Sequence, residues 1–367
     1  MEKVDLANYQ TSPDNFETLE LLLTVKSFKL QEIRKRYLES RKRSRSGSIK
    51  RRKPAQGGLI YIKIDNGKIA EKRILAKYRE ARGLDFKDNK LAISSENQIY
   101  IFNINQNKMA KISHPWLSYI HTVKFNDDCS RLLVASSGVD TIMEFNIENA
   151  QKVWEWNAWE EGINKGRNPE TGEEHYLTRS KKTARDIKNS GKNVILIQNP
   201  QKDKLPTALR AAFINSAEYD ENGDILATFF HEGAIKKISK RTKKMESLIT
   251  GFNKPHGGLA TSDGYIVTDT AGGRIFQEKG NRLISYYFNN LKDKDPRLEE
   301  LEWLQTSHLY KDLIITIDSN RTSFVIFSPE EKQKLQVPYN SKWAVQDFID
   351  IKGKIDRIEN AVQELNE

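Results

Sequence analysis

The sequence predicts an all-β chain: a six-bladed β-propeller with an N-terminal basic helical extension. Three observations carry this. From Gly57 onward, short β runs alternate with turn dipeptides. One outline recurs, with a polar leading residue, a short strand, a charged or Gly turn, an apolar strand ending in small or hydroxyl residues, a second turn and a third strand. Its leading residues Arg82, His121, Asn215, His256, Gln305 and Gln346 lie 39, 94, 41, 49 and 41 residues apart. Apart from the long interval, that period suits four-stranded blades around an axis.

The elements follow in chain order. Ser12-Pro13-Asp14 reads as a helix start, and Phe16, Leu19, Leu22, Leu23, Phe28, Leu30, Ile33 and Tyr37 fall at near-helical spacing, so a helix is expected from Asn15 to about Ser40. The Ser/Arg/Lys segment that follows, with Gly and Pro and no apolar period, reads as a linker or mobile tail. Domain boundaries are therefore placed at 1–56 for helix plus basic linker and at 57–367 for the propeller. Asn66-Gly67 between two alternating runs is a hairpin turn. The stretch Phe252–Phe276, FNKPHGGLATSDGYIVTDTAGGRIF, shows the repeated module most fully. The long interval, about 154–206, is charged, turn-rich and poor in alternation, and is read as an insertion rather than a seventh blade. The C-terminal QDFIDIKGKI starts a module that the chain does not finish, and the first β segment near Gly57 lacks its leading strand; the two ends are expected to complete one blade and close the ring. Residues Ile355 to Glu367 suit a short closing helix.

With 367 residues and 37% hydrophobic content the chain can bury a substantial core. The net charge of +10 is confined to one place. Positions 34–53 hold eleven Lys and Arg against Glu39, which leaves 49 basic and 49 acidic residues elsewhere. Such a segment would engage an acidic protein or nucleic acid through charge, without reading sequence. Cys129 is the single cysteine, so no intrachain disulfide forms, and its turn setting makes it an incidental thiol. The N-terminus lacks a charged n-region and cleavage site, and no apolar run reaches a membrane span of roughly 18 residues. A cytoplasmic protein with no membrane span is expected.

In a propeller the innermost strands line the axis, so the six leading residues form a ring at the channel mouth, with His308 close behind Gln305. Polar groups there need water, a ligand or one another. Beyond a hydrated channel, two chemistries compete. His121, His256 and His308 could bind a divalent metal, but no carboxylate joins them and no short-range ligand spacing exists, so no cofactor is expected. Alternatively, one His acts as nucleophile or general base while Arg82 and the amide side chains grip an anion. His114 reads as a loop residue, His175 belongs to the insertion and His231 reads as a packed or turn residue. Trp154, Trp156 and Trp159 form either an aromatic wall over the channel or interblade packing.

Three stretches, VWEWNAWE at Val153 to Glu160, INSAEYDENGDILATFFHEGAIKKI at Ile214 to Ile238 and PHGGLATSDGYIVTDTAGGRI at Pro255 to Ile275, resemble the bacterial arylsulfotransferase group of β-propellers. That resemblance implies sulfuryl transfer between phenols without a nucleotide donor. His256 would be the nucleophile and His121 and His308 supporting residues. Arg274 or Arg82 would clamp the anion, with Asn215, Gln305 and Gln346 completing the substrate ring. The sequence departs from the group in lacking a secretion signal, a disulfide Cys pair and an N-terminal β-sandwich, and Asn215 stands where a His would be comfortable. The alternatives are a non-catalytic propeller that binds a peptide, protein or nucleic acid through its top face and basic arm, and a His-ligated metal-dependent lyase or oxygenase.

Overall fold

The computed structural model describes residues 1–41, 47–50, 53–298 and 300–365, with the side chain of position 41 left aside. Among the described residues, six four-stranded antiparallel meanders succeed one another. Sheet I is composite, ordered Ala344–Asp350, Leu19–Ser27, Gln56–Asp65 and Lys68–Arg79. Sheets II to VI occupy 84–113, 120–157, 214–249, 256–287 and 304–338. The leading strands pack on one another in cyclic order: Leu84–Lys87, Ile120–Phe125, Ile214–Tyr219, His256–Thr261, Leu304–Tyr310, Ala344–Asp350 and back to Leu84–Lys87. The strand contributed by the C-terminal part pairs with one from the N-terminal part, Phe348 opposite Leu23 and Ile349 opposite Leu22. The ring of sheets is thereby closed, with each leading strand at the inner edge of its own sheet and packed between the leading strands of its two neighbours.

The core lies between neighbouring sheets rather than at a single centre. Leu21, Leu23 and Val25 of sheet I pack with Ile317, Phe324 and Val337 of sheet VI, whereas Leu22 joins Leu84, Leu91 and Phe102 of sheet II. The helix α3, Ile355–Ala361, packs on the second of these layers, between sheets I and II, through Ile355 and Ile358. At the Asn66-Gly67 turn both residues take positive φ, 46° and 73°, as a tight hairpin between right-twisted strands requires.

Residues 1–27 correct the expected extension. Leu19–Ser27 is a strand, not the first half of a helix, and only Leu30–Arg41, here α1, is helical. A strand buried on both faces shows a continuous apolar run without alternation, and in LELLLTV that run happens to satisfy helical spacing. Glu2–Asp5 adds a fifth, parallel strand to sheet V and Gln10–Thr11 does the same on sheet VI. The N-terminal residues are therefore built into three consecutive sheets. Of the basic segment at 34–53, positions 42–46 and 51–52 lie outside the described residues.

The interval between sheets III and IV carries a small three-stranded sheet, Lys165–Arg167, Glu174–Thr178 and Val194–Leu196, with α2, Lys181–Asn189, packed on it. The last two strands are parallel, unlike the meanders. The tryptophans sit at the outer side of sheet III: Trp156 is buried against Phe229 of sheet IV, and the indole N–H groups of Trp154 and Trp156 donate to the carbonyls of Lys240 and Lys243. They pack between sheets and form no wall over the channel.

Candidate functional site

Five of the six leading residues fall at a common irregularity of the backbone. The pairing register of the leading strand slips between Ile120 and Val123, Ile214 and Ser216, His256 and Gly258, Leu304 and Ser307, and Val345 and Asp347. His121, Asn215, Gln305 and Gln346 lie within these bulges and His256 at the edge of one. A bulge places two residues opposite one and re-aims a side chain, so a polar residue in a strand otherwise committed to packing is turned out of the sheet. Arg82 stands just ahead of its strand, with its amide donating to the Ser94 carbonyl. All six side chains are buried.

Their partners form an interlocked layer. The Arg82 guanidinium donates to Glu80 Oε2 at 2.8 Å and Gln346 Oε1 at 3.2 Å, and lies 3.4 Å from His121 Nε2. Since an arginine only donates, His121 Nε2 accepts and its proton rests on Nδ1. Asn215 donates to the Pro255 carbonyl at 2.9 Å, Trp303 Nε1 donates to Gln305 Oε1 at 3.1 Å, and His256 Nδ1 lies 2.9 Å from Thr270 Oγ1. Four buried polar atoms of these six side chains have no hydrogen-bond partner among the described residues: Arg82 Nε, His121 Nδ1, Asn215 Oδ1 and Gln305 Nε2. Atoms of this kind mark where a solvent or ligand group can be received.

Above the layer is a pocket of about 900 Å³, solvent at its mouth included. Arg82, His121 and His256 form its floor, and Tyr119, Phe213, Phe230 and Trp303 its walls. Its cover comes from Ile33, Arg36, Tyr37 and Ser40 of α1 and from Gly47, Ser48 and Lys50. Leu30, Ile33 and Tyr37, spaced three and four residues apart, turn the apolar side of α1 inward. Tyr37 meets Trp303 edge-on at 4.2 Å, and Arg34 anchors the helix to Asp295 and to the carbonyls of Ser319 and Asn320. The Ser48 carbonyl accepts from the Ala208 amide at 3.2 Å and ties the far end of the cover to the connection before sheet IV.

The charged side chains that line the pocket are basic, Arg82 being paired with Glu80 from outside the lining. Lys26, Arg36, Lys50 and Arg82 line the pocket, and no carboxylate does among the described residues. A second arginine, Arg210, is fully buried behind the wall, its guanidinium 4.4 Å from the Tyr119 ring, whose centroid is also 4.1 Å from that of Arg82. Burial and the Arg82 charge push the His121 imidazole well below its ordinary value. His256 is pushed down to about 3, first by burial and then by Lys26, with a bond to the Lys254 backbone opposing. Both rings are neutral at physiological pH, 6.4 Å apart between centroids. Asp140 sets the wall from behind, its buried carboxylate accepting the amides of Ala211, Ala212 and Phe213 and the Trp159 indole.

His308 and Arg274 are not brought to this pocket. His308 lies three residues, about 10 Å, beyond Gln305 along the strand. Its Nε2 pairs with Asp347 at 2.9 Å, and its ring packs edge-on against Phe348. It belongs to a second axial layer, where Lys124 stands 3.5 Å from Asp85 and 3.4 Å from Glu218. Burial raises the Glu218 carboxyl to about 7, with Lys124 opposing. Arg274 pairs with Asp269 of its own sheet at 2.8 Å. His121, His256 and His308 therefore form no common ligand set, and no group of three or more His, Cys, Asp or Glu able to hold a metal occurs among the described residues.

The aromatic walls and the cations of the cover escape sequence reasoning, because Arg36 and Lys50 reach the axis only when α1 folds across it. The signal available for Arg36 and Tyr37 is the amphipathic stripe of α1.

No family model matches the chain, and no curated protein matches it. Solved structures do. A chain of a nidogen/laminin complex matches at a TM-score of 0.53 and 10% identity over 90% of this chain and 97% of its own. A protein of unknown function from Bacteroides caccae matches at 0.52 and 12% over 92% and 100%. Virginiamycin B lyase from Staphylococcus aureus, in a catalytically inactive form, matches at 0.45 and 11% over 71% of each chain. The two fuller likenesses, with the cyclic packing of the leading strands, show the β-propeller fold and nothing of activity.

Proposed function

We propose that the chain is a six-bladed β-propeller whose covered axial pocket binds a small molecule joining an aromatic body to an anionic group, and that His256 transfers that group. The observation that carries the reading is the lining itself: among the described residues, four cations and no carboxylate around a wall of Tyr37, Tyr119, Phe213, Phe230 and Trp303, with two neutral imidazoles on the floor. Charge complementarity would draw the anion in, and ring faces and edges suit an aryl body.

The resemblance to arylsulfotransferases supplies the sharper form. A neutral imidazole keeps the lone pair a nucleophile needs. One nitrogen of His256 attacks the sulfur of an aryl sulfate, and the sulfur–aryloxy bond breaks with its electrons leaving on the phenolate. A second phenol, its proton passing to solvent, then takes the sulfuryl group and restores the neutral ring. Arg82 and His121 Nδ1–H stabilise the oxygens during transfer. His308 and Arg274 have no part in it. The test is nitrophenolate release from p-nitrophenyl sulfate with phenol as acceptor. His256→Ala is expected to abolish release, and release that persists in this variant would falsify the assignment.

A second reading is a non-catalytic propeller that binds a macromolecule, as the nidogen/laminin neighbour does by its name. The described part of the basic segment speaks for the pocket instead: Arg34 is committed to Asp295 and two carbonyls, and Arg36 and Lys50 line the pocket.

A further inference from the structure

The insertion between sheets III and IV has no part in the axial pocket apart from its closing connection, yet it carries a basic, exposed helix. Between positions 176 and 193 there are six Lys and Arg, namely Arg179, Lys181, Lys182, Arg185, Lys188 and Lys192, against one acid, Asp186. Arg179 is spent on Glu155 and Glu160. The others are exposed, and none is in an ion pair among the described residues. Helical periodicity sorts them. Ala184 and Ile187 turn towards the small sheet, whereas Lys181, Arg185 and Lys188, at intervals of four and three, form one exposed stripe beside that packed side, with Lys182 and Asp186 further round the helix. The patch continues past α2: the ammonium groups of Lys165 and Lys192 both stand over the Tyr176 ring, at 5.5 and 5.3 Å. That ring fixes two flexible cations on the surface.

We propose that this face docks the phosphate backbone of nucleic acid without reading its sequence. A lysine-rich surface with no apolar anchor is poor material for a protein interface, whose energetic centre is aromatic or aliphatic and depleted in lysine. It is equally poor for a membrane surface, because an interfacial helix needs large apolar side chains on one face and α2 exposes none. Phosphates need only cations held in place, and each one neutralised releases counterions. The patch holds no base-reading element beyond these cations, so discrimination between sequences is not expected.

The experiment is fluorescence anisotropy of the full chain with a labelled oligothymidylate and a labelled mixed-sequence duplex, titrated between about 50 and 200 mM salt. Binding is expected to weaken steeply with salt. The combined variant Lys181→Glu, Arg185→Glu and Lys188→Glu is expected to lose at least about ten-fold in affinity and to lower the salt slope by about 3. The same positions changed to Gln, a good helix former, should give an intermediate loss at unchanged Tm, which separates charge from folding. The reversals leave positions 34–53 intact, so binding that survives them overturns the proposal. No binding to either probe at low salt, or equal binding to polyglutamate, overturns it as well.

Discussion

His256 and Lys124 show how single residues at the axis are governed by burial and charge. The imidazole of His256, held down to about 3, takes up its proton far more readily in the unfolded chain, whose value is near 6.5. Between those values the unfolded state binds more protons, so this contribution to stability is complete above about pH 6.5 and is drawn down as the pH falls towards 3. Urea unfolding across that range should show wild type losing stability faster than His256→Gln on acidification; parallel curves would contradict the burial. Lys124 holds Asp85 and Glu218 together at the second layer. Lys124→Met would leave these carboxylates facing one another, at a cost of about 3–5 kcal/mol by denaturant unfolding. A loss under 1 kcal/mol, the range of an exposed pair, would mean that water screens the layer. The six leading residues were legible in the sequence because they recur at one place in a repeated module. Tyr119 and Phe213 were not: each stands two residues before its leading residue, but its place on the wall depends on a positive φ, 54° and 51°, that no local turn residue announces.

At the scale of elements, α1 matters most, because it makes the axial channel into a covered pocket. Its hold includes the Leu30 amide on the Lys342 carbonyl, Tyr37 on Trp303, Arg297 on the Gln31 side chain, and the bonds of Arg34. Arg34→Ala removes charged hydrogen bonds worth about 1.5–3 kcal/mol each in favourable settings. Amide exchange within Leu30–Arg41 should then quicken by about ten-fold or more while exchange in the sheets is unchanged. Unchanged exchange in α1 would show the helix held by its apolar face alone. The strand Leu19–Ser27 shows why part of the fold was hidden. Sandwiched between two sheets, it carries leucines on both faces, and nothing local tells such a run from a buried helix. The Asn66-Gly67 hairpin was legible, because its turn chemistry is local.

For the whole molecule, the account joins ring closure to charge. The C-terminal leading strand, paired with a strand near the N-terminus, completes the ring that gathers Arg82, His121, Asn215, His256, Gln305 and Gln346 from six sheets. The cover then brings Arg36 and Lys50 over Lys26 of sheet I and Arg82, so the pocket's cations all come from the first 82 residues. Periodicity in the sequence pointed to the ring, and the apolar stripe of the N-terminal segment pointed to a helix laid against the main domain, but docking across a ring leaves no repeat to say which face the helix covers. The central claim is that this collected charge receives an aryl anion, whatever chemistry follows. Calorimetric titration of p-nitrophenyl sulfate into wild type and into the combined variant Lys26→Glu and Arg36→Glu tests it most directly. Single-site binding that weakens by about ten-fold or more in the variant, roughly 1.4 kcal/mol, is the expected result. No saturable binding to wild type, or equal binding to both proteins, would contradict the account.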